Sequence, residues 1–427
     1  MKDLFRNPVF VRMFIASFGS QMGTIIGNMA FAFYLLDHFS SQPGLTSLAE
    51  MMYSLPTLAV FFIVGVVADR FDRQHIAEYT GWIRSGLTIL LIGSVLLKFL
   101  PLTFAILFLR SAVSKFFGPA EMGLVQGVLG KEQYVLASGL NQTVFGVFML
   151  FGASLGAVAY THIGVIGAMI LDFCGFLLSA TLIRSCRISL EVRQPSGPAH
   201  WRELNVKSTY RDFREGMLYV LRNKLLLSLI GGFLLFGFIN GGFAVLPMYT
   251  MKYHLAPNNY KYFVSMFSIF LGIGFLGGSA IGGTLIKALK SHRVLIGGLL
   301  CTTILTLVMS QVANPWVFLS LVLVTGLVLA PVNIVIGGWL PEIVEPDKMG
   351  RVNAWTDPIL MLGQSVSLGF ISLFYPKLMS LDFIYIALAI FMFAAFVYYL
   401  IALPRMVQKN KAHVPEKPGD ESLPVAY

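Results

Sequence analysis

The chain has 427 residues, of which 56% are apolar and only 12% are charged, and its mean hydropathy is +0.75. A soluble globular protein carries about 25% charged residues, so this composition excludes a water-soluble enzyme, a disordered chain and a disulfide scaffold. Cys174, Cys186 and Cys301 lie far apart and form no CxxC pair, which gives no indication of a metal site or a disulfide network. The composition predicts an integral membrane protein.

Twelve apolar runs are long enough to cross a membrane, since a helical span needs about 20 residues. The expected fold class is therefore an all-α integral membrane protein with twelve transmembrane helices in two six-helix bundles. The predicted spans are 11–36, 46–68, 76–98, 102–124, 135–160, 164–184, 225–248, 260–286, 293–312, 315–339, 351–375 and 381–403.

Lysine and arginine predict the orientation of these spans. Most of the 31 basic residues fall on the inside if both termini are cytoplasmic. The net charge of +10 is then expected to face anionic lipid, and no nucleic acid is expected as a partner. The exceptions are Lys98, Lys252, Lys261 and Lys377 on the outside and Arg84, Arg110 and Lys115 within spans.

The longest polar segment divides six spans from six. We expect an N-terminal bundle over 1–184, a cytoplasmic linker over 185–224 with an amphipathic helix, a C-terminal bundle over 225–403 and a cytoplasmic tail over 404–427. Two groups of six spans joined by a central loop are typical of secondary transporters, and less so of channels, receptors or membrane enzymes. The sequence therefore predicts a transporter and no enzymatic activity.

The segment from Gly65 to Gln74 reads GVVADRFDRQ. It resembles the GxLaDrxGrr signature that the major facilitator superfamily carries between spans 2 and 3. Asp72 replaces the usual glycine, as in the macrolide and drug exporter branch of that family. The alternative is that an Arg- and Asp-rich turn serves only to fix the topology.

Further segments resemble the macrolide-efflux and siderophore-export branch. They are Phe108–Ser111 with Phe116–Ala120, Leu136–Gln142, and Gly152–Ala157, which is similar to an antiporter motif whose proline and last glycine are replaced by alanine. Gly152 and Gly156, and in the second half Gly274 and Gly278, have the four-residue spacing of close helix packing.

The resemblance implies a gate at the cytoplasmic side. We predict that Asp69, Arg73 and Glu121 form a cluster that closes this side, together with Gly65 and Arg70 of the motif. Asp357, at the start of span 11, is expected to join the cluster.

Charged groups inside a bilayer are costly, by about 2.5–3.5 kcal/mol on insertion scales, and they are functional candidates for that reason. Arg110 in span 4 pairs with a carboxylate for structural reasons, or it biases a titrating carboxylate or contacts substrate. Asp172 is a structural ion pair or a coupling residue, and Glu50 faces the outer vestibule or the substrate. The sequence does not single out one proton carrier.

Amide side chains in the spans are candidates for hydrogen bonds to a substrate in a central cavity. The 36 phenylalanines and 19 methionines offer adaptable apolar contact, which favours a bulky lipophilic ligand. The candidates are Gln21, Asn28, Asn141, Asn240 and Gln364, with Gln142 and Asn353 in addition.

The function that these patterns predict is proton-coupled efflux of a lipophilic small molecule, such as a macrolide-like drug, by alternating access. The chain shows no ATP-binding loop, and we expect no cofactor or metal. The expected partners are the substrate, protons and membrane lipid, and the expected form is a monomer in a bacterial plasma membrane. Export of an endogenous siderophore-like product, and uptake or flipping of a lysophospholipid, stay open as alternatives.

Overall fold

The computed structural model describes residues 2–195, 197, 218, 224–343 and 349–411. Within these ranges the secondary structure is helical and contains no strand. The long helices of the first half are α1 (Pro8–His38), α2 (Gly44–Arg70), α3 (Arg73–Leu96), α4 (Leu100–Ser114 and Phe117–Val128, taken together) and the run Lys131–Arg184. Those of the second half are α7 (Lys224–Thr250), α8 (Tyr260–Leu289), α9 (Ser291–Ser310), α10 (Pro315–Ile343), α11 (Met349–Phe374) and α12 (Leu381–Lys411).

The run Lys131–Arg184 contains two helices, because the chain turns at Gly164. This residue has φ +68°, a left-handed conformation that glycine adopts without the steric cost of a Cβ. We name the part before Gly164 α5 and the part after it α6. Eleven helical stretches of the described residues are long and apolar enough to span a membrane, and one of them contains this turn. With α5 and α6 counted separately there are twelve, as the sequence predicts.

Polar caps fix where the first and third helices begin. Asn7 precedes α1, and its Oδ1 accepts hydrogen bonds from the backbone N–H groups of Val9 and Phe10 at 3.0 and 3.2 Å. Pro8 follows at the first helical position, where its missing N–H costs nothing. Caps of this kind satisfy backbone donors that the first turn of a helix leaves free.

Each half forms its own bundle. In the first half α1 packs against the α5–α6 run, and α3 packs against that run and against α4. In the second half α7 packs against α11 and α12, α8 against α10, and α9 against α10 and α12. The two halves meet where α2 packs against α11 and where the α5–α6 run packs against α8.

The ends of the long helices lie at two opposite faces of the molecule. The proximal face carries the start of α1, residues 71–72 and residues 129–130, and the distal face carries residues 39–43, 97–99, 251–259 and 375–380. An even number of crossings returns the chain to the proximal face, which the basic residues predict to be cytoplasmic.

The predicted linker helix lies outside the described residues, which include only 185–195, 197, 218 and 224 of that segment. The predicted tail begins at 404, whereas α12 continues to Lys411.

Candidate functional site

A buried ion pair lies inside the N-terminal bundle. The guanidinium of Arg110 on α4 donates to the carboxylate of Asp172 on α6, and both residues are almost fully buried, with 5% and 0% exposed. The same guanidinium donates to Oδ1 of Asn28 on α1 at 2.9 Å. One arginine therefore links three helices. This arrangement corresponds to the structural alternative for both Arg110 and Asp172, in which the two form an ion pair.

A second arginine, Arg84 on α3, completes this network. It donates to the hydroxyls of Thr24 at 3.0 Å and Ser20 at 3.3 Å on α1, and its guanidinium lies 3.8 Å above the ring of Phe176. Thr24 in turn donates to Asp172 at 3.2 Å. The sequence placed Arg84 inside span 3 but assigned it no role. Its signal was that very position, since an arginine within an apolar span requires partners.

Two glycines of α1 let the backbones of α1 and α6 approach at Asp172. A Cβ on Gly23 would lie 2.8 Å from the Cα of Asp172, and a Cβ on Gly27 would lie 3.3 Å from its Cβ. Real Cβ atoms do not come as close as the first of these distances to other atoms without displacement. This tight contact keeps the carboxylate of Asp172 away from lipid and water.

Glu50 on α2 lies near this network but outside its hydrogen bonds. Its side chain is half-buried, and no hydrogen bond or ion pair joins it to another of the described side chains. Tyr53, almost one turn further along α2, interacts electrostatically with Glu50, Arg110 and Asp172, so these groups share one region of the bundle. Two arginines and one aspartate leave this region with an excess positive charge, which an ionised Glu50 balances.

Asp72, the residue that departs from the family signature, caps α3. Its Oδ1 accepts hydrogen bonds from the backbone N–H groups of Gln74 and His75 at 2.9 and 3.1 Å. It also accepts one from Nε of Arg193 at 3.1 Å. Burial raises the pKa of Asp72, but the hydrogen bonds from Arg193 and His75 outweigh it and hold the pKa below its usual value. Asp72 thus links the α2–α3 turn to the short helix Leu190–Arg193.

The predicted cluster of Asp69, Arg73 and Glu121 stays a prediction. Nε of Arg73 donates to the backbone carbonyl of Ala68 at 3.0 Å, and Glu121 interacts electrostatically with Ser17 on α1. The side chain of Asp69 lies outside the described residues. In this conformation Glu121 therefore lies near α1.

Three further gate candidates lie at or near the proximal face. Asp357 on α11 is exposed and interacts electrostatically with Lys115 on α4, across the two halves. Arg70 is half-buried at the end of α2. A Cβ on Gly65 would meet nothing within 4 Å, so Gly65 does not serve close packing in this conformation.

The amide candidates differ in environment. Nε2 of Gln21 donates to Ser17 at 3.1 Å, and Gln364 on α11 is half-buried. Asn141, Gln142 and Asn240 are exposed, and the side chain of Asn353 lies outside the described residues.

The candidate packing glycines lie at close helix contacts. A Cβ on Gly152 would lie 2.7 Å from Ile25 of α1, and Gly156 meets Met29 of the same helix. A Cβ on Gly274 would lie 3.1 Å from Gly326 of α10, and one on Gly278 would lie 2.9 Å from Ala330. The GxGxxG pattern at Gly272–Gly277 lies within α8 and contributes to this packing.

The two halves are joined at the distal face and at mid-depth. Several hydrogen bonds connect the halves there. Examples are Ser47 with Tyr249 at 2.6 Å and Ser54 with Ser365 at 2.9 Å. Asp37 at the end of α1 binds Lys252, Tyr260 and Lys261 of the second half at 3.2, 2.6 and 2.7 Å.

Comparison with known proteins identifies the family. The Major Facilitator Superfamily model matches residues 13–355. The chain is 52% identical to the uncharacterized MFS-type transporter YkuC of Bacillus subtilis, over 94% of each chain. It is 25% identical to macrolide efflux protein A of Streptococcus pyogenes, over 84% of this chain and 87% of that protein. It is 24% identical to the putative bacilysin exporter BacE of Bacillus subtilis, over 58% and 60%.

The fold has solved counterparts. A crystal structure of the peptide transporter POT in complex with alafosfalin superposes with a TM-score of 0.69 and 14% identity, over 93% of this chain and 94% of that chain. At this identity the likeness shows the fold alone. The match over residues 13–355 and the 52% identity to an MFS-type transporter show that the chain is a transporter-type membrane protein and belongs to the Major Facilitator Superfamily.

Proposed function

We propose that the chain is a secondary active exporter of the bacterial cell membrane. It moves a lipophilic small molecule out of the cell in exchange for protons, by alternating access, and it acts as a monomer. Hydrogen bonds and ion pairs join the halves at the distal face, which supports assignment to one of the two states that this mechanism requires. A lipophilic substrate then enters from the side that the basic residues predict to be cytoplasmic.

Glu50 carries this proposal. Its carboxylate is half-buried, has no hydrogen-bond partner among the described side chains, and lies near a network with an excess positive charge. Protonation of Glu50 breaks no existing contact, so the group can gain and lose a proton as its access to water changes. Such a group has the properties that a proton carrier needs.

Asp172 is less suited to this role. Its carboxylate already accepts from Arg110 and Thr24, and the backbone of α1 packs tightly against it. Protonating it would leave the guanidinium of Arg110 buried without its counter-charge, which is strongly unfavourable. We therefore assign Asp172 to holding Arg110 in place and Glu50 to carrying the proton.

The experiment uses everted membrane vesicles with an acidic interior and a pH-sensitive dye. Macrolides, cationic dyes and siderophores are added one at a time to vesicles that carry the wild-type chain, Glu50→Gln or Glu191→Gln. Glu191 is the matched control, because it is an exposed acid on the short helix Leu190–Arg193. We expect one compound class to release protons with the wild type and with Glu191→Gln, and no release with Glu50→Gln.

Two results would contradict the proposal. Proton release by Glu50→Gln at the wild-type rate would remove Glu50 from the coupling step. No release with any compound, from folded wild-type protein, would refute proton-coupled export of these compounds and favour uncoupled lipid movement.

Export of an endogenous product is the second candidate, because one relative is described as a putative bacilysin exporter. A response limited to siderophores in the same assay would favour it over drug efflux.

A further inference from the structure

The interiors of the two bundles differ. That of the N-terminal bundle is occupied by the network of Arg84, Arg110 and Asp172, whereas that of the C-terminal bundle contains a pocket of about 380 Å³ lined by residues of α7, α8, α9, α10, α11 and α12. Protein interiors are close-packed, and voids larger than a few water molecules are uncommon. A pocket of this size in one bundle is therefore expected to bind a ligand.

The depth of this pocket is apolar. Leu246, Met309 and Val322 are buried in its wall, at 2%, 4% and 1% exposed. The hydroxyls of Thr302 and Thr325 donate to carbonyls of their own helices and so offer no free hydrogen to a ligand. None of the described residues that line the pocket carries a charge. Water would find few partners there, and a charged ligand group would find no counter-charge.

The rim of the pocket is polar. Asn240 on α7 and Asn333 on α10 are exposed and both line the pocket. Asn333 donates through Nδ2 to the carbonyl of Leu329 at 3.0 Å, so its side-chain oxygen stays available. The amide of Asn240 has no hydrogen-bond partner among the described residues, so it can both donate and accept.

We propose that this pocket in the C-terminal bundle binds the uncharged, lipophilic body of the transported molecule, with Asn240 and Asn333 as hydrogen-bonding groups at its rim. Ligand sites of about 300–1,000 Å³ hold drug-sized molecules. A pocket near the lower end of that range takes one ring system of a larger compound. Any cationic group of the substrate stays outside this pocket, because its described lining residues offer no counter-charge. This inference deepens the proposed function and rests on it, because the bound molecule is taken to be the one that the protein transports.

The test measures binding of two neutral fluorescent probes to the full chain in lipid nanodiscs, with empty nanodiscs subtracted. Nile red has hydrogen-bond acceptors and pyrene has none. Val322→Phe fills the pocket from α10, and Val324→Phe makes the same change on the exposed side of that helix. Val322→Phe is expected to weaken the binding of both probes about tenfold in Kd, because it removes apolar contact area between the probe and the pocket. Val324→Phe is expected to leave the Kd of both probes unchanged.

Asn240→Leu tests the rim and does not endanger the fold, because the side chain is exposed. Loss of one hydrogen bond predicts about fivefold weaker binding of Nile red and unchanged binding of pyrene. Equal affinities of wild type, folded Val322→Phe and Asn240→Leu for Nile red would overturn the site. An unchanged Nile red affinity in Asn240→Leu alone would overturn the role of the rim and indicate that a plain hydrocarbon, such as a lipid chain, occupies the pocket.

The binding assay needs no proton gradient, which separates this inference from the proposed function. If Val322→Phe weakens binding but the wild type never releases protons, the pocket stands and proton-coupled export fails. If the wild type releases protons on addition of a substrate and Val322→Phe does so with the same half-maximal concentration, the proposed function stands and the pocket is refuted.

Discussion

Replacing Asp37 by asparagine is expected to open the distal face. Asp37 ends α1, and its carboxylate accepts three donors from the second half of the chain: Lys252, Tyr260 and Lys261. Both lysines also lie over tyrosine rings, Lys252 at 4.3 Å from Tyr260 and Lys261 at 4.6 Å from Tyr160. The contacts of Asp37, and that of Lys261 with Tyr160, exist only while the halves are together at this face, whereas Lys252 and Tyr260 both belong to the second half. Loss of the contacts between the halves therefore disfavours the distal-closed state.

The size of the effect follows from exposure. The side chains of Asp37, Lys252 and Lys261 are 25%, 20% and 31% exposed, so each ion pair is partly screened and contributes about 0.5–1 kcal/mol. Asparagine keeps an oxygen for Tyr260 but loses both ion pairs, about 1.5 kcal/mol in total. The ratio of distal-closed to distal-open molecules should fall about tenfold.

Disulfide cross-linking measures this ratio. The hydroxyl oxygens of Ser54 on α2 and Ser365 on α11 are 2.9 Å apart in the distal-closed state, so cysteines at both positions are within reach of a bond. The pair is introduced into a chain whose three native cysteines are replaced by serine. With Asp37→Asn, we expect cross-linking by a membrane-soluble oxidant to be slower, by up to about tenfold.

Asp382→Asn is the matched control, since Asp382 is an exposed acid in the first turn of α12, close to the distal face. It should leave the cross-linking rate unchanged. If Asp37→Asn cross-links as fast as this control, the Asp37 contacts do not hold the halves together and the reasoning is refuted.

Two further predictions concern stability. Gly23→Ala should lower the Tm in detergent, because its Cβ would lie 2.8 Å from the backbone of Asp172 and overpacking costs about 1–3 kcal/mol. Gly86→Ala, whose Cβ would meet nothing within 4 Å, should not lower it, and equal losses in both would contradict the packing argument. Asp72→Asn keeps the helix cap but loses the charge that faces Arg193, so it should destabilise the chain at neutral pH by about 1 kcal/mol. Because the folded pKa of Asp72 is below 3.8, this difference is present above that pH and is lost as the pH falls through the folded value; a Tm difference that is constant from pH 7 to pH 3 would oppose this assignment.

The membrane topology was predictable because one physical rule governs it. Every backbone polar group in lipid must be bonded within its own helix, so each crossing appears as an apolar run of the required length. The turn at Gly164 lies beside the gap between the predicted spans 135–160 and 164–184, and its non-helical backbone separates α5 from α6. The end of α12 was not predictable, since Lys409 and Lys411 are polar yet helical.

The site was predictable only as a set of candidates. A charged residue in a span requires a partner, which identified Arg110 and Asp172, but the sequence cannot say which acid meets which base across 62 residues. Asp72 was recognised as a departure from a motif, and its cap on α3 appears only once backbone donors are placed. Glu121 was placed in a gate because it lies at the end of span 4, beside the loop between spans 2 and 3; its interaction with Ser17 of α1 appears only once the helices are packed.

The two bundles differ in the charge of their interiors. Helix α2 carries Glu50 and also contacts the second half of the chain. The N-terminal bundle holds the buried charges, and the pocket of the C-terminal bundle is lined by uncharged residues. Glu50 lies one turn from Ser54 on α2, and Ser54 bonds Ser365 of α11 across the interface. A Cβ on Gly369, one turn further along α11, would lie 3.1 Å from Met51, so the two helices are in close contact beside Glu50.

This arrangement gives coupling a physical basis. Linkage requires that a proton and a substrate each bind the two states of the transporter with different affinity, and that each then shifts the binding of the other by the same factor. A change of charge at Glu50 occurs beside the contact that holds α2 to α11, and it alters the charge balance around Arg110. A ligand in the C-terminal pocket acts on α7 and α10, of which α7 packs against α11. Both ligands therefore act on helices that meet at α11, which is where the balance between the two states is expected to be set.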